Sequence, residues 1–352
     1  MSPTEDCAAF ALGETTVTIG EVVRAAHFRG ELQSAAAEVA LAVACEEEAA
    51  RWKLEADGDA IGAAADAFRF ENDLTSAEAM EAWLGARGIA PGESRDYFSR
   101  RYWRETLREK IVPDNVDPAR VVPEMMGLLE IEVLMSGAFG ALATGLVRRL
   151  LVRAEAGASS DEGQVKAERA QFLKRAGLKP AGVPVWLRAV GRGPDWLGGM
   201  LAMEAAFRRR CAAVVTRERL AQALAAARLA LTQLEVEQVE FDSADAARDA
   251  HLRVRQDGLA LEAVARESRF PFSRLEFLAE DLPDELRQRL LCASDGEVLA
   301  PSPEGGVFHL RRVVRKAEPV LADARIRSRL ERRILDAYFS GAGEADARWF
   351  VR

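Results

Sequence analysis

Three histidines and four cysteines are all that this 352-residue chain supplies of the side chains most used for nucleophilic and metal chemistry. Cys7, Cys45, Cys211 and Cys292 are scattered, with no C-x-x-C pair and no histidine at ligand spacing beside them. That spacing argues against a disulfide framework and against a zinc centre, and the four read as buried free thiols. No G-x-S-x-G, Walker A, G-x-G-x-x-G or H-E-x-x-H string occurs, so no catalytic residue, metal or cofactor is expected. Excess positive charge is missing as well. A net charge of -8 offers none of the clustered cationic surface that a nucleic-acid backbone rewards, and a nucleic-acid partner is not expected. The opening MSPTEDCAAFALGETTVT lacks a basic segment followed by a long apolar core, so it is not read as a secretory signal and a cytoplasmic location is expected. Long apolar runs are absent too. The uncharged stretch from Val133 to Val147 falls short of the about 20 residues needed to span a bilayer, and reads as one buried core helix.

What is present is the composition of a folded protein, 49% hydrophobic and 30% charged, at a length that allows two or three domains. Thr15 to Thr18 is β-branched, Thr18 is placed to cap a helix, and Gly30 to end it. Ala36, Val39, Ala40, Val43, Ala50 and Leu54 recur at helical spacing, as do Ile61, Ala64, Ala65 and Phe68. Thr75 to Glu78 has the form of a capping box for a helix through Met80, Trp83 and Leu84, and a further helix runs from Pro91 to a breaker at Pro113. The next hundred residues repeat this order after a polar break at GASSDEG. Trp186-Leu187 answers Trp83-Leu84 at an offset of 103 residues (186 − 83), and Pro194 answers Pro91 at the same offset (194 − 91). A degenerate internal duplication is inferred.

Beyond residue 232 the pattern changes. Val239 and Phe241 alternate as in a strand, Asp242 or Ser243 caps a helix ending at Gly258, and LALEAVARES forms a second helix. RFPFSRLEFLAEDL reads as a loop leading to a third helix near Pro283, and GEVLAPSPEGGVFHLRRVV reads as a hairpin. Ala322 to Phe339 is a basic amphipathic helix. The expected architecture is α+β and predominantly α-helical, with helical modules over 1–118 and 119–232, a small α+β domain over 233–316, and a C-terminal helix within 317–352 packing on the helical part.

The order and wording of residues 236–316 resemble a parvulin-type (PpiC-like) peptidyl-prolyl isomerase domain. DAFRFENDLTSAEAMEAWLGARGI, followed by a helix into LREKIV, is similar to the helical arm of SurA-like chaperones and of parvulin-related peptide-maturation proteins. Against that pattern the first-strand histidine falls near Gln238, the family's glycine-rich turn is replaced by Ser273 to Phe277, and His309 stands where the hairpin histidine does. Ser268 is the nearest counterpart of the family's central Cys or Asp. Proline isomerisation needs an ordered cage around the amide, because its barrier is about 18–20 kcal/mol, and half of that cage is missing. The resemblance extends to peptide-binding proteins of crocagin-type maturation pathways of ribosomally made peptides. It implies a non-catalytic protein that binds a precursor peptide and presents it to a peptide-modifying enzyme.

Candidate peptide-binding residues are Gln238, Phe270, Phe272, Phe277, Leu278, Phe308 and His309, with Phe270 and Phe272 expected to be exposed above a groove. A peptide added beside a sheet edge, or held against the helical arm, would serve the same end. His27 lies near a helix end, and His251 sits among Arg248, Arg253 and Arg255 on a polar face. The alternatives are an active cytoplasmic prolyl isomerase or folding chaperone, and a scaffold subunit that touches no substrate. The apolar helices from Met125 to Val152, together with the C-terminal helix, also suggest a homodimer.

Overall fold

Thr18 opens the first helix by a reciprocal capping box: its hydroxyl accepts from the Glu21 N–H, and the Glu21 carboxylate accepts from the Thr18 N–H. The helix ends where Gly30 adopts φ +75°, a left-handed conformation that suits glycine. The protein is described here from a computed structural model over residues 3–111, 125–156 and 161–351. Pro113, the 118/119 boundary and most of GASSDEG lie outside them. Two units emerge: one takes residues up to Ala212 and from Tyr338 onward, the other Ala213–Ala337.

The first unit contains β1 (Ala8–Leu12), β2 (Thr15–Thr18), α1 (Ile19–Arg29), α2 (Gln33–Arg51), α3 (Gly58–Glu71), α4 (Ala77–Ala86) and α5 (Pro91–Leu107). It continues with α6 (Met126–Met135), α7 (Phe139–Ala156), α8 (Glu162–Arg175), α9 (Val183–Ala189) and α10 (Pro194–Val214). The second contains α11 (Arg217–Ala226), β3 (Gln233–Phe241), α12 (Ala244–Gln256), α13 (Leu261–Ser268), β4 (Phe272–Leu278), α14 (Asp284–Cys292), β5 (Ser302–Glu304) and β6 (Val307–Ala317). Helix α15 (Ala324–Gly341) begins in the second unit and ends in the first, which β7 (Arg348–Trp349) completes. The architecture is α+β and mostly helical.

In the first unit β1 pairs antiparallel with both β2 and β7, so the last strand is joined to the first. Strands β1 and β7 are too short to show an alternating pattern and were not expected. The two predicted helical modules contribute to one core: Phe28, Phe68 and Phe98 share it with Ile131, Val147, Phe172 and Trp186. Helices α3, α4 and α5 are followed about 103 residues later by α8, α9 and α10, with proline at the first position of both α5 and α10. Gly88 and Gly191 have the same φ, +65°, at that offset (191 − 88). Trp83 meets Phe68 edge-on at 5.3 Å, and Trp186 meets Phe172 edge-on at 4.9 Å.

Several expectations need correction. Val133 to Val147 is two helices bent by 104°, because Gly137 takes φ +75° between them. Among the described residues no single helix is long and apolar enough to cross a membrane. Ser76, not Thr75, caps α4, and Leu54 lies past the end of α2 and is exposed. Cys292 is exposed at the end of α14, beyond the buried Leu290, and Cys7 and Cys211 are only partly buried; none of the four forms a disulfide. Leu129, Val133, Val147, Ile326 and Leu330 are buried within this chain. The C-terminal helix divides: Ile326 and Leu330 pack beside Leu220 and Leu231 in the second unit, and only its end, with Phe339 stacked on Phe207, belongs to the first.

The second unit is a four-stranded antiparallel sheet in the order β4-β3-β6-β5. Strand, helix, helix, helix and hairpin follow in the expected order, with one strand added. RFPFSRLEFLAEDL, expected as a loop, supplies strand β4, which pairs with β3 from Gln233↔Leu278 to Val239↔Phe272. Ser243 caps α12, and Gly305 and Gly306, both at positive φ, turn the β5–β6 hairpin.

Candidate functional site

Alternation along β3 sends successive side chains to opposite faces of the sheet. Val239 and Phe241 join Leu310 in a core under α12 and α13, and the partly buried Phe270, Phe272 and Phe308 pack against it. The Phe241 and Phe270 rings are 4.7 Å apart. Gln238 and Glu240 fall on the other face, where Gln238 stands opposite Ser273 and Arg311, and Glu240 opposite His309. The seven residues expected around one groove are therefore not brought together. Phe270, Phe272 and Phe308 serve the helix-side core, Phe277 packs in the cluster of α14, and Leu278 packs with α11 and α15. Reading β4 as a loop concealed this separation, since only a strand imposes a period of two. Phe270 and Phe272 are half-buried rather than exposed.

Gln238 and His309 do share a face, and the residue that dominates it was not anticipated. Arg311 is 6% exposed and uses all three nitrogens: Nε donates to Gln238 Oε1 at 2.7 Å, Nη1 to Ser302 Oγ at 3.3 Å, and Nη2 to the Glu304 carboxylate. His309 is 9% exposed, with Nε2 3.5 Å from Glu304 Oε2 and Nδ1 buried without a hydrogen-bond partner. A buried guanidinium tied to a carboxylate is a satisfied ion pair. It supplies neither a nucleophile nor the small apolar cage that an isomerising prolyl bond needs. The signal was legible only as a basic residue two positions after His309, which alternation places on the same face.

The first unit carries a groove of about 750 Å³ between α1, the start of α2, the end of α8 and α9. Phe28, Leu32, Ala36 and Trp186 supply apolar wall, and Val185 stands 60% exposed at its rim. The wall is rigid: Phe28 stacks on Phe172 at 5.1 Å, and Trp186 is held by Phe172 and by the His27 ring at 5.7 Å. Burial lowers the His27 pKa, so its imidazole is neutral at pH 7, with Nε2 buried and unbonded. Arg175 is bonded to Glu168 at 2.9 Å and covers one edge of the Phe28 ring. The sequence pointed to the helical arm only in general terms, because the groove is assembled from four separate segments. Among the described residues no group of acids, histidines and cysteines could hold a metal ion.

No family model and no curated protein matches the chain. Solved structures that align with it include the peptidylprolyl isomerase PrsA from Bacillus cereus, at 17% identity over 58% of this chain and 79% of that one, with a TM-score of 0.37. The foldase protein PrsA from Streptococcus pneumoniae aligns at 11% identity over 61% and 82%, with a TM-score of 0.26. PrsA from Bacillus subtilis aligns at 13% over 63% and 84%, with a TM-score of 0.22. At these values the fold rests on the chain's own topology, and function rests on the geometry of its surfaces.

Proposed function

We propose that this chain is a peptide-binding protein without isomerase chemistry, and that its peptide is a ribosomally made precursor undergoing maturation by a separate modifying enzyme. The apolar groove of the first unit carries the reading. Its rigid walls of Phe28 and Trp186 suit the apolar side chains of an extended segment, and about 25 cal/mol is gained per Å² of apolar surface removed from water. The Arg311–Glu304 pair supports the non-catalytic half, because it fills the sheet face where the parvulin resemblance places the chemistry. The precursor and the enzyme it is presented to come from the crocagin-type resemblance.

Titrating the purified chain with the precursor encoded beside its gene should give saturable binding, weakened about tenfold by Val185→Glu, which sets a charge at the rim of the apolar wall. Val185 is exposed, so the variant should fold. Absence of saturable binding would overturn the peptide reading. In a proline-isomerisation assay the chain should not exceed the uncatalysed rate; catalysis that disappears in His309→Ala would instead establish the active isomerase.

A further inference from the structure

On the opposite face of α9 from the groove lies a second depression, a trough of about 500 Å³. Leu187, Leu197 and Leu201, all buried, form its floor, and Arg169, Arg188 and Arg192 line it. None of these three guanidinium groups makes a hydrogen bond or an ion pair among the described residues. Their neighbours do: Arg175 and Arg208 share Glu168, and Arg149 is paired with Glu204. In a chain of net charge -8, three uncompensated guanidinium groups around one apolar floor are a local reversal of sign.

Under the inferred duplication, two of the three floor leucines have buried apolar counterparts. At the offset of 103 residues, Leu187 corresponds to Leu84 and Leu201 to Phe98, and all four are buried. Arg188 and Arg192 correspond instead to Gly85 and Ile89. The third floor leucine, Leu197, falls on Ser94, and neither Arg188 nor Arg192 has a basic counterpart in the first copy. Gly198 adds an independent observation. It lines the trough inside α10, yet a Cβ there would meet nothing within 4 Å. A glycine within a helix costs about 1 kcal/mol relative to alanine. Here no packing requires it, and its effect is a bare helix face that another backbone can approach closely.

We infer that this trough binds a peptide segment carrying carboxylate side chains next to apolar ones, the carboxylates meeting Arg169, Arg188 and Arg192 and the apolar groups meeting the leucine floor. The inference rests on the peptide-binding reading above and adds the chemistry of the ligand. It is tested on the full chain by fluorescence anisotropy with three labelled short peptides that share one leucine pattern and differ in Glu, Gln or Lys at the remaining positions. The Glu peptide should bind roughly tenfold more tightly than the Lys peptide, with an advantage that shrinks as salt rises. Arg188→Glu combined with Arg192→Glu should abolish that preference and leave the Gln peptide unchanged. An unaltered urea midpoint would confirm that the double variant folds. Gly198→Leu, which fills the trough without changing charge, should weaken the Glu peptide as well. Equal binding of Glu and Lys peptides, or a Glu preference that survives the double reversal, would overturn the inference while leaving peptide binding intact. Failure of all three peptides to bind would also overturn the inference, whereas the peptide-binding reading stands or falls with the precursor titration.

Discussion

Replacing Arg149 by Met is expected to destabilise the first unit by about 3–5 kcal/mol, the cost of stranding a buried charge. The Arg149 guanidinium meets the Glu204 carboxylate twice, Nε to Oε2 at 2.6 Å and Nη2 to Oε1 at 3.0 Å, and both side chains are almost wholly buried. Its Nη1 donates to the Gly145 carbonyl at 2.8 Å, and its Cζ lies 4.2 Å from the centre of the Phe207 ring. Burial alone would raise the Glu204 pKa, but the Arg149 hydrogen bonds and charge outweigh it and hold that carboxyl below its usual range. Met retains much of the apolar stem while leaving the carboxylate without this partner. Arg29 remains nearby and is relieved of its repulsion from Arg149, which sets the expected loss toward the lower end of the range. Removing both charges with Arg149→Met and Glu204→Leu should recover most of it. Urea unfolding followed by tryptophan fluorescence is the measurement, because all six tryptophans lie in this unit. A loss below about 1 kcal/mol would mean that the pair behaves like an exposed salt bridge.

Glu130→Gln should do the reverse, stabilising the same unit by about 3 kcal/mol at pH 8 while changing little at pH 4. Glu130 is 2% exposed, and its Oε2 has no hydrogen-bond partner. Burial pushes its pKa up to about 7; Arg24 opposes the shift, and Glu5, Asp6 and Glu93 add to it. A carboxyl raised in the folded state holds its proton there after the unfolded chain has released it. The stabilisation is complete below the unfolded value near 4.5 and is lost as pH rises through about 7. Gln keeps the shape and cannot ionise, so the wild-type curve should fall across that window and the variant's should not. Parallel curves for the two proteins would show that another group sets the pH dependence.

Local signals in the sequence were faithful where one segment was enough to produce them. Thr18 and Gly30 bound α1, Ser243 caps α12, Pro91 and Pro194 open long helices, and two glycines turn the hairpin, because each depends on a few adjacent residues. Short strands were not legible: β1, β7 and β4 are defined by their partners, and β4 carries too many charges and aromatics to look different from a loop.

The sequence by itself determined that the chain is helical first and α+β second, and that it holds none of the familiar catalytic strings. It also placed Gln238 and His309 on the same small sheet. Tertiary structure decided what surrounds them. Strand pairing turned Phe270, Phe272 and Phe308 to the face opposite those two residues and brought Arg311 and Glu304 to theirs. Packing around α9 created the apolar groove on one side, from residues that lie far apart along the chain, and the arginine-lined trough on the other, from α8, α9 and α10. The reason is physical: capping and periodicity act over a few residues, whereas which faces are buried, and which charges go unpaired, depends on contacts between distant segments.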